Sequence, residues 1–98
     1  MTFSETVWAL TRQIPRGRVT TYQELARAMK TRAYRAVGNA LNKNPYAPHV
    51  PCHRVVKTDG SLGGFAQGPQ RKRALLEKEG ISIRKDRIQD FSAVLFRF

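Results

Sequence analysis

The segment Pro51-Cys52-His53-Arg54-Val55 sets a thiol, an imidazole and a guanidinium side by side. These residue types can do nucleophilic chemistry. A free thiol has a pKa of ~8.5 and is mostly protonated at neutral pH, whereas the thiolate is the form that attacks. Activation needs a base or a positive field, and His53 and Arg54 offer one of each. Neighbours on an extended backbone point to opposite faces, so contact between Cys52 and His53 requires a turn or a bridging water. Glu79 could orient His53 if the fold brings them together.

Other roles compete for the same residues. A single cysteine is commonly inert core packing. His49, Cys52 and His53 make three possible metal ligands, whereas a closed structural zinc site takes four. A papain-like hydrolase needs a His and an Asn far from the Cys in sequence, which this cluster does not supply. No metal and no cofactor is therefore expected.

The elements that must hold this segment can be read from spacing. Phe3, Val7, Leu10 and Ile14 recur at helical intervals, with Thr2 and Glu5 suited to a capping box and Pro15 as a stop. A second helix is expected from Thr21, with Glu24 as capping partner and Leu25, Ala26 and Met29 on its apolar face. A third is expected over residues 32–42, with Ala33, Ala36, Val37, Ala40 and Leu41 inside. The pair reads as a helix-turn-helix. Pro45, Pro48 and Pro51 then forbid helix and lead an ordered arm into Cys52. A short strand is expected over residues 54–56, a turn at Asp59-Gly60, and a glycine-rich loop over residues 63–68. A last helix should run from Pro69 to Glu79, capped by Gly80 with Ile81 packing back on Leu76. Ile88, Phe91, Val94, Leu95, Phe96 and Phe98 are expected to cover the core. The fold class is α+β, mostly helical, winged-helix-like, with a small strand element near Val55.

Composition narrows the partner. Ninety-eight residues carry eighteen Lys and Arg against seven Asp and Glu, a net charge of +11. That excess favours a polyanion, with nucleic acid ahead of an anionic membrane surface. Arg12, Arg16, Arg18, Arg32 and Lys43 are candidate phosphate contacts. One cysteine excludes an internal disulfide and fits a reducing compartment. No run is long and apolar enough to span a bilayer, and the first residues do not read as a secretory signal. We expect a cytoplasmic protein, or a nuclear one in a eukaryote.

Arg35-Ala36-Val37-Gly38-Asn39-Ala40, then Asn44-Pro45, then Pro51-Cys52-His53-Arg54-Val55 resemble, in order and spacing, the signature of the O-6-alkylguanine-DNA alkyltransferases. The resemblance runs from the first helix to Glu79-Gly80. It implies single-turnover DNA repair, in which an alkylated guanine is flipped from the duplex and its alkyl group passes irreversibly to Cys52. It further implies that His53 is the base acting through a water, held by Glu79, and that Asn44 braces the active-site turn. Tyr22 would crowd the 3′ phosphate and help protonate the departing guanine. Arg35 would enter the stack where the base was. Arg32, Ala33, Tyr34 and Gly38 would join Arg35 on a recognition helix in the minor groove, and the pocket would be formed by Val55, Gly63, Gly64, Phe65 and Ala66. The partner would be double-stranded DNA carrying O6-alkylguanine, bound by a monomer or by copies clustered along the duplex, with no membrane involved.

Four departures from the family pattern are visible. Longer members carry an additional N-terminal domain, whereas residues 1–98 read as one catalytic and DNA-binding domain. Tyr34 stands where a small residue usually faces DNA. Ala66 replaces a Ser that in some members donates to the guanine O-6, and Gln67 replaces a small residue, which narrows the pocket. Two other functions stay open. Alkyltransferase-like proteins share the short form and recruit other repair factors, but carry Trp in place of the acceptor Cys. A plain helix-turn-helix regulator would have no use for Pro-Cys-His-Arg-Val.

Overall fold

The computed structural model describes residues 1–46, 49–65 and 67–98. Helices dominate, and the strands are two residues long, in keeping with the expected mostly helical α+β class. Helix α1 (Phe3–Thr11) opens on the expected capping box, in which Thr2 accepts from the Glu5 amide and Glu5 reaches back to the Thr2 amide. It ends earlier than Ile14, yet Ile14 is still buried because a tight turn follows the helix. Phe3 is exposed, contrary to the apolar-face reading, so Val7 carries that end of the packing.

Strand β1 (Thr20–Thr21) leads straight into α2 (Tyr22–Ala28), whose first turn is capped by the Thr21 hydroxyl accepting from the Glu24 amide. Helix α3 (Tyr34–Asn42) begins two residues later than expected. Arg32 and Ala33 therefore belong to the connection, and Ala33 is exposed rather than buried. The reason lies in the turn. Lys30 adopts a left-handed φ of 57°, and the Thr31 amide donates to the Ala26 carbonyl, closing α2 in the manner usually given to glycine. The Thr31 hydroxyl then accepts from the Ala33 amide and delays the next helix.

Strand β2 (Val55–Val56) pairs in parallel with β1, Thr20 opposite Val55 and Thr21 opposite Val56. Helix α4 (Pro69–Lys78) starts on the expected proline and ends at Glu79 and Gly80, with the Ile81 amide donating to the Leu76 carbonyl. A hairpin of β3 (Ile83–Arg84) and β4 (Arg87–Ile88) and a short α5 (Phe91–Val94) complete the chain.

Two apolar clusters result. The first joins α1, α2 and α3 through Val7, Leu25, Val37 and Leu41, and takes in Val55. The second holds Val19, Val56, Leu62, Leu76, Ile81, Ile83 and Ile88. Neighbouring residues on a strand face opposite ways. Val55 and Val56 thus stitch the two clusters together from the strand that follows Cys52. Phe98 stays exposed, whereas Ile88 is buried in the second cluster and Phe91, Val94 and Phe96 pack on these clusters.

Candidate active site

Cys52, His53 and Arg54 form one turn of 3₁₀ helix, not the extended arm or strand that the prolines and Val55 suggested. The Cys52 amide donates to the Val50 carbonyl and the Arg54 amide to the Pro51 carbonyl. Asn44 is the brace. Its Nδ2 donates to the Val50 carbonyl at 2.7 Å, and its Oδ1 accepts from the Tyr46 amide at 2.9 Å. Short-range bonds from one amide side chain thus hold the approach to Cys52 in shape. The Trp8 indole N–H donates to the Ala40 carbonyl and its ring meets Tyr46 edge-on, which fixes this approach against α1 and α3.

The 3₁₀ turn separates the three functional side chains. Cys52 is half-buried, His53 is buried, and Arg54 reaches under the turn. His53 Nε2 lies 2.7 Å from Glu79 Oε2. Arg54 donates to both carboxylate oxygens of Glu79, at 2.9 Å from Nη2 and 2.9 and 3.1 Å from Nε, and Nη1 donates to the Ile14 carbonyl. The Gly17 amide adds a further bond to Glu79. Burial alone would raise the Glu79 pKa, but the donors Arg54, His53 and Gly17 outweigh it and bring it down to about 2. Burial lowers the His53 pKa, more than Glu79 raises it, so the imidazole is neutral at pH 7 and able to take a proton.

Lys72, which sequence reasoning passed over, is almost fully buried beside this turn. Its Nζ donates to the Val55 carbonyl at 2.6 Å and to the Gly64 carbonyl at 3.2 Å, and lies 5.9 Å from the Tyr22 ring centroid. Burial brings its pKa down to about 8. The signal was present in the helix period. Lys72 stands four residues before Leu76, on the stripe of α4 that faces the core.

Tyr22 heads α2 beside Cys52, and burial, then the thiolate charge, raise its pKa. Gly63 has φ +75°, and a Cβ there would stand 3.3 Å from Lys57 Cγ and 3.4 Å from the Tyr22 hydroxyl, so glycine lets the loop close on the ring. Tyr22, Tyr34, Arg35, Gly38, Lys57 and Gly64 line an open groove of about 410 Å³, together with Asn39 and Asn42. Residues expected on the recognition helix and residues expected at the pocket therefore share one surface. Arg32 borders a neighbouring groove with Arg27, Lys30 and Tyr34. Val55 is wholly buried and offers backbone only, and Phe65 is half-buried. Ala66, and Pro48 of the expected arm, lie outside the described residues. Arg16 and Arg18, expected at phosphates, are exposed and donate to the carbonyls of Lys78, Val94 and Leu95.

The family described as 6-O-methylguanine DNA methyltransferase, DNA binding domain, matches residues 2–81. This chain belongs to that family. Among methylguanine methyltransferase relatives, the methylated-DNA–protein-cysteine methyltransferase of Methanosarcina barkeri is 47% identical over 83 residues, 84% of this chain and 52% of its own length. That of Sulfolobus acidocaldarius is 47% identical over 81 residues, 83% of this chain and 51% of its own. The chain spans about half the length of these relatives. The crystal structure of Mycobacterium tuberculosis OGT in complex with DNA superposes with a TM-score of 0.77 at 45% identity, over 81% of this chain and 50% of that one. S. pombe Atl1, in complex with damaged DNA containing O6-carboxymethylguanine, superposes with a TM-score of 0.86 at 29% identity, over 98% and 95% of the two chains.

The structure brings together Cys52, His53, Glu79, Asn44 and Tyr22, the residues to which the resemblance drew attention. It adds Gly17 and Lys72 to the set and places Arg54 on Glu79.

Proposed function

We propose that this protein repairs DNA by direct reversal, taking the alkyl group of O6-alkylguanine onto Cys52. The observation that carries the reading is the 3₁₀ turn of half-buried Cys52 and buried His53, with His53 2.7 Å from Glu79, close to Tyr22, which lines the groove shared with α3. The duplex is bound through α3, and Arg35 fills the gap left by the extruded guanine. Extrusion is needed because O-6 cannot be reached within the stack. Neutral His53 accepts the Cys52 proton through a water, and Glu79 steadies the imidazolium that forms. Sulfur then attacks the alkyl carbon. The S–C bond forms, the C–O6 bond breaks, and guanine leaves with a proton supplied at the Tyr22 side. Lys72 and the oriented Val55 carbonyl hold the pocket wall against the base.

The thioether has no second thiol to resolve it, because Cys52 is the sole cysteine of the sequence. Each molecule therefore acts once. In this reading residues 1–98 work as one domain, as a monomer or clustered on duplex DNA, in a compartment where the thiol stays reduced. The end-to-end likeness to Atl1 also suits a lesion sensor that binds without transferring. Cys52 separates the two readings, since a sensor needs no thiol there.

The test is intact-protein mass after mixing with a duplex containing O6-methylguanine. One adduct of about 14 Da, a methyl exchanged for a proton, is expected on the Cys52 peptide. Repeated turnover, or an adduct on another residue, overturns the reading.

A further inference from the structure

We infer that residues 82–98 brace the candidate pocket from behind, fixing the two segments that carry Tyr22 and Gly63-Gly64; this inference rests on the repair reading for its functional consequence. These residues lie beyond the part of the chain that the family matches, residues 2–81. Sequence patterning assigns them only the covering of a core.

One arm of the brace grips β1. The Val19 amide donates to the Val94 carbonyl at 2.9 Å, and the Phe96 amide to the Val19 carbonyl at 2.6 Å. The Thr20 hydroxyl donates to the Phe96 carbonyl at 2.8 Å. Arg18 closes the grip, donating from Nε to the Val94 carbonyl and from Nη2 to the Leu95 carbonyl. β1 thus pairs with Val55-Val56 on one side, and Val19 just before it is bridged to Leu95. A two-residue strand alone has little to hold it, and Tyr22 is the next residue.

The second arm grips the approach to the glycine loop. The Ile88 amide donates to the Gly60 carbonyl at 2.9 Å, and the Leu62 amide to the Asp86 carbonyl at 3.1 Å. The Phe91 ring packs on Gly60, where an added Cβ would stand 3.4 Å from it. Gly63 follows directly. The arms converge where the Cβ position of Gly63 comes within 3.4 Å of the Tyr22 hydroxyl. Between the arms, Ile83, Ile88, Phe91 and Val94 pack with Val19, Val56 and Leu62 into one cluster, so the arms move as a unit. By contrast, the bonds holding His53 and Glu79 come from Arg54 and the Gly17 turn. Pocket geometry and thiol activation are thus held by different parts of the chain.

The test uses the full chain carrying Arg18→Ala with Thr20→Val, or Phe91→Ala. Phe91→Leu is the milder variant should Phe91→Ala fail to fold. Hydrogen exchange over residues 20–24 and 60–65 should speed up by about tenfold in each, while residues 52–55 stay protected. Methyl transfer from an O6-methylguanine duplex should slow by about ten- to a hundredfold. The rate of Cys52 alkylation by iodoacetamide should hold within about twofold, because His53, Arg54 and Glu79 are untouched. Unchanged exchange at both segments overturns the brace, as does iodoacetamide reactivity that falls in step with transfer. If the unmodified protein transfers nothing, the repair reading fails, and the exchange data still decide the brace.

Discussion

The ammonium of Lys72 donates to the backbone carbonyl of Val55 at 2.6 Å in a site from which water is excluded. Among the described residues no carboxylate pairs with it, so the protein carries a buried cation held by two carbonyl dipoles beside the Tyr22 ring. Its folded pKa is about 8, against 10.5 for an ordinary lysine. Between those values the unfolded chain binds more protons than the folded one, so stability rises with pH across that window. The rise should be about 3 kcal/mol from this group, one pKa unit being about 1.4 kcal/mol. Lys72→Met should remove it, as urea unfolding of the two proteins at about pH 7.5 and about pH 10 would reveal. Near pH 7 the variant loses a costly buried charge along with two bonds, so its stability should change by about 1 kcal/mol or less in either direction. Equal slopes in both proteins would mean that Lys72 is not buried as a cation.

Glu79 makes the opposite case. Its folded pKa is depressed to about 2, so its contribution is fully present above the ordinary value of 4.5 and fades as pH falls toward 2. Glu79→Gln should flatten the acid side of the stability curve between those limits and cost on the order of 2 kcal/mol at pH 7, since Arg54 would be left without its counter-charge. His53 has a folded pKa below 6.5 and therefore stays neutral into mildly acidic conditions. The acid limb of the transfer rate should accordingly fall below pH 6.5. A limb centred above pH 7 would assign the titration to another group.

Much of this arrangement was legible in the sequence because it rests on local rules. The Thr2–Glu5 capping box, the Pro69 start and the Gly80 end of α4 each depend on residues within a few positions of one another. The site residues Cys52, His53, Asn44 and Glu79 came from spacing and resemblance, and the fold brings them together. What escaped was set by tertiary context. The resemblance implied that Asn44 braces the active-site turn, but that the turn is 3₁₀ and not an extended arm was not readable from the prolines. Arg18 reads as a surface cation until the 94–96 segment is laid beside it. Lys72 reads as one more basic residue in a basic helix, because burying a lysine runs against its usual preference.

Cys52→Ser should leave the fold and lesion binding intact while abolishing transfer. Cys52 is only half-buried and Ser is close in size, so the stability change should be about 1 kcal/mol or less. A serine hydroxyl is a far weaker nucleophile beside the same imidazole. Binding of an O6-methylguanine duplex, measured by fluorescence anisotropy, should match that of the unmodified protein and weaken steeply with added salt. Any methyl adduct on the serine of that variant would reject the assignment of Cys52 as a thiolate nucleophile.

Arg35 and Arg32 offer a matched pair that separates a finger from a phosphate contact. Arg35 sits in the first turn of α3, exposed, on the groove that also holds Tyr22 and Gly64. Arg32 lies in the connection before α3, beside Arg27 and Lys30, away from that groove. A finger acts after encounter, by filling the space the guanine has left, and so matters only where a base must be extruded. Arg35→Ala should slow transfer from duplex DNA by about a hundredfold, from single strands much less, and from the free alkylated base hardly at all. Arg32→Ala should weaken duplex binding by about tenfold or less and leave the transfer rate at saturation unchanged. Single-turnover rates for both variants on the three substrates decide the matter. If Arg35→Ala slows all three equally, Arg35 shapes the pocket or the helix rather than the stack, and the groove it lines is not the path of the flipped base.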